Sequence, residues 1–147
     1  MTIGKILMKK GAAVVTTSPK SLLSEAAKIL VDKRIGLLVV IDNDGAIQGV
    51  VSERDIVRAV AQDAKRVAKK RVSDLLTNKV VACGPHTPAQ DVLETMTTQK
   101  FRHMPVVNHG KLMGVVSISD VLKHLIDTAK LDRKSLEVLV SDGAHYL

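Results

Sequence analysis

The sequence predicts a mixed α/β (α+β) fold made of two pseudo-symmetric β-α-β-β-α repeats that pack as one compact module. Its second half repeats the first at an offset of sixty-six positions, so that residues 14–15 align with residues 80–81. After a one-residue slip, Gly-Val-Val-Ser-x-x-Asp occurs at 49–55 and again at 114–120. The length of 147 residues suits one domain core. Two copies therefore predict one compact domain in which any ligand site is doubled.

Each repeat begins with a short β stretch that ends in a proline-containing turn. The stretches are Ala13–Thr17, followed by Pro19, and Lys79–Cys83, followed by Pro85. Valine and threonine favour strands, and proline next to glycine or serine favours a turn.

A helix follows each turn. In the first repeat we expect Ser21 to be the N-cap, with Glu25 in the first turn. In the second repeat Thr87 is the expected N-cap and Pro88 the first helical residue. Apolar side chains recur at helical spacing in both segments. They are Leu22, Leu23, Ala26, Ile29 and Leu30 in the first, and Val92, Leu93 and Met96 in the second.

A β-hairpin and a second helix complete each repeat. Turn residues between two apolar runs are typical of hairpins. The predicted strands are Gly36–Ile41 and Ala46–Val51 in the first repeat, and Met104–Val107 and Lys111–Val116 in the second. The closing helices are expected to begin at Ser52 and Ser117, whose hydroxyls suit an N-cap.

The second closing helix continues into an apolar tail that has no equivalent after the first repeat. The helical spacing allows a break near Leu131–Lys134. We therefore divide the chain into a first repeat with a connecting helix (1–72), a second repeat (73–127) and a C-terminal helical tail (128–147). An apolar stripe beyond a complete unit packs on the body or on a second subunit.

Composition and charge restrict the possible functions. Trp is absent, with one Phe and one Tyr, which argues against readers of single-stranded nucleic acid. The net charge is +7, and the basic segment 58–71 carries six Lys or Arg against one Asp. Such a segment attracts polyanions, but we favour a solvated helix face between the halves, because the segment has no aromatic interleaving and no groove-reading motif.

A reducing compartment fits the cysteine content, and we expect the protein to be cytoplasmic. Cys83 is the single cysteine, so no internal disulfide forms, and a buried structural thiol is expected. The N-terminus lacks the apolar core of a signal peptide. The longest apolar run, Ile35–Ile41, is far shorter than the roughly 20 residues of a membrane span.

The repeat with its closing Gly-Val-Val-Ser-x-x-Asp motif resembles the cystathionine-β-synthase (CBS) domain, and two in tandem resemble the CBS pair, or Bateman module. The resemblance extends from Ile3 to Ile126 and points to the stand-alone prokaryotic type. It implies clefts between the halves that bind adenosine-containing ligands: AMP, ADP, ATP, NAD or S-adenosylmethionine.

The resemblance implies that Asp55 and Asp120 accept hydrogen bonds from the ribose hydroxyls. Ser52 and Ser117 match the hydroxyl position of the motif, and Arg54 and Ser119 lie within reach of phosphate. Independently, a carboxylate beside the N–H groups of a helix N-terminus suits a diol and a phosphate together. A purely structural reading stays open, in which the serines only cap helices and the aspartates only favour the helix dipole.

The resemblance also implies that each cleft takes its aspartate from one repeat and its adenine-binding wall from the other. The Asp120 cleft would use Ala12, Val14, Ile35 and Gly36, and the Asp55 cleft would use Lys79, Val81, Phe101, Arg102 and His103. Because Arg102 and His103 have only Gly36 and Leu37 as counterparts, we expect the cationic pair in the Asp55 cleft, which would then prefer ligands with more phosphate.

The leading interpretation is a non-enzymatic adenine-nucleotide sensor. It would act as a homodimer and signal to an unidentified effector enzyme or transporter. Nothing in the sequence matches a phosphate-binding loop, a nucleophile elbow or paired catalytic carboxylates. The histidines His86, His109, His124 and His145 lack metal-ligand spacing and are expected at the surface or in turns. The alternatives are a nucleic-acid-associated regulator using segment 58–71, and a hydrolase acting on its nucleotide.

Overall fold

The computed structural model describes residues 2–11, 14–77 and 79–143, with side chains described up to residue 134 and at 137. The secondary structure alternates between helices and strands, as predicted. The elements are α1 (Ile3–Lys10), β1 (Thr16–Thr17), α2 (Leu23–Lys33), β2 (Leu37–Ile41), β3 (Ile47–Ser52), α3 (Glu53–Gln62), α4 (Val72–Leu75), α5 (Ala89–Gln99), β4 (His103–Asn108), β5 (Lys111–Ser117) and α6 (Ile118–Gly143), with a 3-10 turn at Val67–Lys69 before α4.

The strands form one small sheet in each half. In the first half β1 pairs in parallel with β2, which pairs antiparallel with β3. In the second half β4 pairs antiparallel with β5. Both hairpins contain a register shift at the equivalent place, between Val40 and Ile41 and between Val106 and Val107. The two halves thus share even the irregularity of their hairpins.

Several predicted details differ from the structure. Of the described part of the stretch predicted at Ala13–Thr17, only Thr16–Thr17 forms a strand. The strand predicted at Lys79–Cys83 is reduced to a single parallel bridge between Cys83 and Val106, because the residues before Cys83 diverge to form a cleft wall. Helix α2 begins after Leu22, not Ser21, because Leu22 is extended and bridges to Arg71. Helix α5 begins after Pro88. The Thr87 hydroxyl instead accepts a hydrogen bond from the Gly84 N–H at 2.9 Å.

The two halves exchange the short helix that precedes each of them. Ile3 of α1 is fully buried in the second half's core, among Val92, Met96 and Val116 of that half. Val72 of α4 is fully buried in the first half's core. The helix that precedes the first half, α1, therefore completes the core of the second half. The helix that precedes the second half, α4, completes the core of the first half.

Backbone hydrogen bonds fix this exchange at equivalent positions. The Ile3 N–H donates to the Thr87 carbonyl at 3.0 Å, and the Val72 N–H donates to the Ser21 carbonyl at 2.9 Å. Both helix starts are thus tied to the turn before α5 or α2. The sequence prediction assigned no helix to residues 3–10 and placed residues 1–72 in the first repeat.

Helix α6 runs without interruption from Ile118 to Gly143. The break considered near Leu131–Lys134 is absent, and the side chains of Leu131 and Lys134 are exposed. Within the ranges described, no helix is long and apolar enough to cross a membrane. Cys83 is partly buried, and burial raises the pKa of its thiol to about 11, which fits a structural rather than a reactive thiol.

Candidate functional site

The first candidate carboxylate, Asp55, lies in the first turn of α3 and is held by the residue that caps that helix. The Ser52 N–H and the Ser52 hydroxyl both donate to Asp55 Oδ2, at 2.8 and 2.9 Å. In return the Asp55 N–H donates to Ser52 Oγ at 3.2 Å. This reciprocal capping box fixes the carboxylate beside the helix N-terminus. The Arg58 guanidinium is 3.7 Å away and largely exposed, so its ion pair contributes little.

The second carboxylate, Asp120, occupies the same place on α6. The Ser117 N–H donates to Asp120 Oδ2 at 2.9 Å, and the Asp120 N–H donates to Ser117 Oγ at 3.1 Å. A third partner comes from α1, because Lys10 Nζ lies 2.7 Å from the same oxygen. Burial favours a raised pKa for this carboxyl, but the hydrogen bonds from Lys10 and Ser117 outweigh it and lower the pKa below its ordinary value.

A cavity of about 310 Å³ lies against Asp120 and draws its walls from both halves. From the first half come Val14 and Ile35, as the resemblance implied. Ala12, expected at the same wall, lies outside the described residues. Gly36 lines the neighbouring depression rather than this cavity. The other lining residues are Lys10, Gly11, Val15, Arg34, Leu37, His103, Gly114, Val115 and Ser117.

A second cavity, of about 380 Å³, lies against Asp55 and is again shared. Lys79, Val81 and Phe101 of the second half line it, together with Ser52. All four were expected there. The other lining residues are Leu37, Val50, Thr77, Val80, Gln99, His103 and Pro105. Each cavity therefore joins a helix-start carboxylate of one half to an apolar wall of the other.

His103 lines both cavities, which corrects the expectation that it serves only the Asp55 cleft. The imidazole crosses between the halves because its neighbour Gly36 has no side chain. A Cβ on Gly36 would stand 2.6 Å from His103 Cε1. Burial, followed by the charge of Lys10, lowers the pKa of His103, so the neutral ring is favoured at neutral pH.

Three expected phosphate-binding residues lie outside both cavities, in two adjoining depressions of about 500 and 170 Å³. Arg102 lines both depressions, Ser119 lines the one next to the Asp120 cleft, and Arg54 lines the one next to the Asp55 cleft. Each depression shares residues with its cleft: Arg34, Ile35 and Ser117 on one side, and Leu37, Ser52 and Phe101 on the other. The cationic groups are therefore placed at the cleft mouths, and Arg102 is not confined to one of them.

The sequence interpretation missed Lys10 and Arg34. Lys10 escaped notice because α1 was not predicted. Arg34 ends helix α2 in the left-handed conformation, with φ of 54°, and Lys100 ends α5 in the same way, with φ of 59°. Glycine usually marks such helix ends, so two basic residues gave no signal.

Glu53 adds a carboxylate to both depressions, and Lys100 lines the one next to the Asp55 cleft. Arg58, Lys65, Arg66 and Lys69 of the basic segment are exposed. His86 and His109 are exposed as expected, but His124 is only 9% exposed and faces α1. The expectation of a surface position was wrong for His124, because α1 covers that face of α6.

Comparison with known proteins agrees with this architecture. The sequence profile of the CBS domain matches residues 3–62 and 72–127. An uncharacterized 17.7 kDa protein in the bps2 3′ region of Acidianus ambivalens is 36% identical over 115 residues, covering 78% of this chain and 68% of that protein. The chain spans 34–60% of the length of three further relatives.

Solved structures show the same likeness. The CBS-domain containing protein ATU1752 from Agrobacterium tumefaciens superimposes with a TM-score of 0.82 and 39% identity, covering 84% of this chain and 98% of that one. The CBS domain pair of protein MJ0100, in complex with 5′-methylthioadenosine and S-adenosyl-L-methionine, gives a TM-score of 0.77 at 25% identity, covering 87% and 98%. The chain belongs to the CBS domain family and carries two CBS domains in tandem.

Proposed function

We propose that this protein is a non-enzymatic regulatory module that binds an adenosine-containing ligand in its clefts. The observation that carries the proposal is the doubled arrangement of Asp55 and Asp120. Each is a carboxylate fixed by a capping box at the N-terminus of a helix, and each faces a cavity with walls from both halves. The adenosine ligands of the MJ0100 pair support the ligand class.

The clefts suit a nucleoside in size and polarity. Their volumes of about 310 and 380 Å³ fall at the lower end of the range for small-molecule sites. The carboxylate would accept hydrogen bonds from the ribose hydroxyls, while Val14 with Ile35, or Val81 with Phe101, would cover the faces of the adenine. A 5′-phosphate would point to the cleft mouth, toward the arginine side chains there.

Sharing each cleft between two halves is what would make binding a signal. A ligand that contacts both halves favours the relative orientation in which both sets of contacts form. Only such a difference in affinity between two states allows a ligand to shift an equilibrium. The receiver of that shift would be an effector enzyme or transporter that binds the module.

The test is a thermal-shift panel with AMP, ADP, ATP, NAD, S-adenosylmethionine and 5′-methylthioadenosine. A ligand at 100 times its Kd should stabilise the fold by roughly 2.7 kcal/mol. The Asp55→Ala, Asp120→Ala double variant is the control, and it should lose the response. No shift with any ligand, or equal shifts in the control, would refute an adenosine-binding role through these carboxylates. Release of product from ATP or NAD would instead show an enzyme.

We also propose that two copies associate through the exposed apolar faces of α3 and α6. Val57 is 66% exposed on α3, and Leu122 and Ile126 are 41% and 52% exposed on α6. These faces are related by the internal repeat, so each half presents an exposed apolar helix face that a second copy would cover. Light scattering should give a dimer at micromolar concentration and a monomer for Val57→Glu with Ile126→Glu. A monomer without substitution contradicts the proposal.

The exposed basic segment supports a second candidate function, binding of nucleic acid. Arg58 and Arg66 make only long ion pairs, of 3.7 and 3.5 Å, and Lys65 and Lys69 are exposed beside them. Duplex binding that weakens steeply with salt would favour this function. We rank it second because the segment contains no aromatic residue and no recognisable groove-reading motif.

A further inference from the structure

We propose that Lys10 is a specificity-determining residue of the Asp120 cleft. It acts there as an internal counter-ion, so that the cleft favours adenosine ligands carrying phosphate over uncharged ones. This inference depends on the proposed function of the clefts, and it goes further by assigning a ligand preference to one residue that lies outside the repeated motif.

Lys10 is held in the cleft by two contacts. Its ammonium donates to Asp120 Oδ2 at 2.7 Å and to the Val115 carbonyl at 2.9 Å. The side chains of Lys10 and Asp120 are 42% and 26% exposed, so the pair is partly shielded from water. An ammonium has three N–H donors, and these contacts use two of them. The third is available to a ligand in the cavity that both residues line.

At the Asp55 cleft a backbone N–H occupies the place that the Lys10 ammonium occupies at the Asp120 cleft. The Val50 carbonyl of β3, which corresponds to Val115 of β5, accepts a hydrogen bond from the Thr77 N–H at 3.2 Å. Helix α4 ends at Leu75 after one turn, which lets the chain reach β3 with its backbone. Helix α1 is eight residues long and presents the Lys10 side chain to β5 instead.

A ribose that binds in the two clefts must therefore compete with different hydrogen-bond donors for the carboxylate. Asp55 Oδ2 accepts from the Ser52 hydroxyl, which is neutral and free to rotate toward other partners. Asp120 Oδ2 accepts from an ammonium, and this charge-assisted bond is the stronger. An uncharged adenosine must compete with Lys10 without offering it a new partner. A phosphorylated ligand supplies an anion that Lys10 can pair with.

Neighbouring cations do not produce the same distinction. Arg34, Arg54 and Lys100 are exposed at the cleft mouths, and Arg102 lines both depressions. They attract phosphate at either cleft and are screened by salt. Among the described residues, Lys10 is the one cation within 3 Å of a candidate ribose carboxylate, whereas Arg58 lies 3.7 Å from Asp55.

The experiment compares AMP with adenosine by calorimetry in an Asp55→Asn background, where the Asp120 cleft remains. Lys10→Met keeps the apolar stem and removes the charge. We expect the ratio of AMP to adenosine affinity to fall about five- to tenfold. Lys9→Met, which removes the same charge one residue earlier outside both clefts, should leave the ratio unchanged. In an Asp120→Asn background, which reports the Asp55 cleft, Lys10→Met should also leave it unchanged.

A second measurement needs no ligand. NMR titration of the Asp120 carboxyl should show a pKa that rises when Lys10 is replaced by Met. A constant pKa, or an AMP-to-adenosine ratio that ignores the substitution, overturns the role of Lys10 while the binding function stands. If the unmodified chain binds neither AMP nor adenosine, the proposed function fails, and this inference fails with it.

Discussion

The Asp55 and Asp120 clefts have the same plan but differ in what holds the carboxylate. Asp55 is held within its own half, by the hydroxyl and N–H of Ser52. Asp120 is held by Ser117 and by Lys10, which belongs to the segment before the first half. The strand edge beside Asp55 carries a backbone bridge from Thr77, whereas the edge beside Asp120 carries the Lys10 side chain.

The repeated motif determines the position of the carboxylate in each cleft. The exchanged segments determine how the surroundings of the two carboxylates differ. The motif fixes a carboxylate at a helix start in both halves by the same capping geometry. What surrounds it depends on whether an eight-residue or a four-residue helix arrives from the preceding segment. The exchanged segments therefore decide how unequal the two clefts are.

The largest expected effect comes from the exchanged helices themselves. Ile3→Ala should lower the free energy of unfolding by about 2–5 kcal/mol, because a fully buried side chain leaves a cavity in the second half's core. Val72→Ala, at the corresponding place in the first half, should cost about 1–3 kcal/mol because fewer carbons are removed.

Urea denaturation measures both, and Met8→Ala on the exposed side of α1 is the control, with a change below about 0.5 kcal/mol. Loss of only α1 structure by NMR, with the second half's β-hairpin unchanged in hydrogen exchange, would show that the exchange is not part of the core.

Removal of either ribose carboxylate should affect one cleft and spare the other. Asp55→Ala and Asp120→Ala each remove two hydrogen bonds to a ribose, for a loss on the order of a hundredfold in affinity. Calorimetry of each variant should show one weakened and one retained site. If one substitution weakens both sites equally, the clefts are coupled rather than independent, and if neither weakens binding the ribose role is wrong.

Substitution between the clefts should affect both at once. Gly36→Ala places a methyl group 2.6 Å from His103, so the imidazole must move. Because His103 lines both cavities, we expect a change of about three- to tenfold in affinity at each site. Gly45→Ala in the first hairpin's turn is a control for general strain, because its φ of 82° strains the backbone while no atom lies near its Cβ. A change confined to one cleft would assign His103 to that cleft alone.

The smallest effect is a dependence of stability on pH through the Lys10–Asp120 pair. The pKa of Asp120 is lowered from an ordinary value of 3.8, so the pair stabilises the fold fully above that value. The contribution is lost as the pH falls through the lower folded pKa. Lys10→Met should therefore lose less stability between pH 5 and pH 2 than the unmodified chain does. Unfolding curves at several pH values test this, and identical pH profiles for both chains would contradict it.

Much of the fold could be predicted because the two repeats can be aligned with each other, so that each element is indicated twice. Gly-Val-Val-Ser-x-x-Asp fixed the end of a strand, a helix cap and a carboxylate in each half, and Ser52 caps α3 as expected. The alternating composition fixed the hairpins to within one or two residues. Val14 and Ile35 line the cavity of Asp120, and Lys79 and Val81 line that of Asp55, at the positions that the family resemblance implied.

The exchange of α1 and α4 could not be predicted from the same offset. Ile3 corresponds to Val72 at an offset of sixty-nine, and three extra residues before Val14 hide this from a search at sixty-six. The side-chain positions of Lys10 and His103 are long-range consequences of that packing. They depend on which segment crosses to which half, and local spacing carries no information about that.

The exchanged helices also bear on how such a chain could have arisen. If a single half existed as a separate chain, its own leading helix could not close its own core, because in this structure each leading helix closes the other half. Two such chains would have to trade helices to fold, as a swapped dimer does. Joining them through residues 63–71 replaces a bimolecular encounter by an intramolecular one, with an effective concentration in the millimolar range for a short linker. Fusion would then have allowed the two copies to diverge. A dimer of identical chains would carry the lysine at both clefts, whereas a fused pair can carry it at one cleft only.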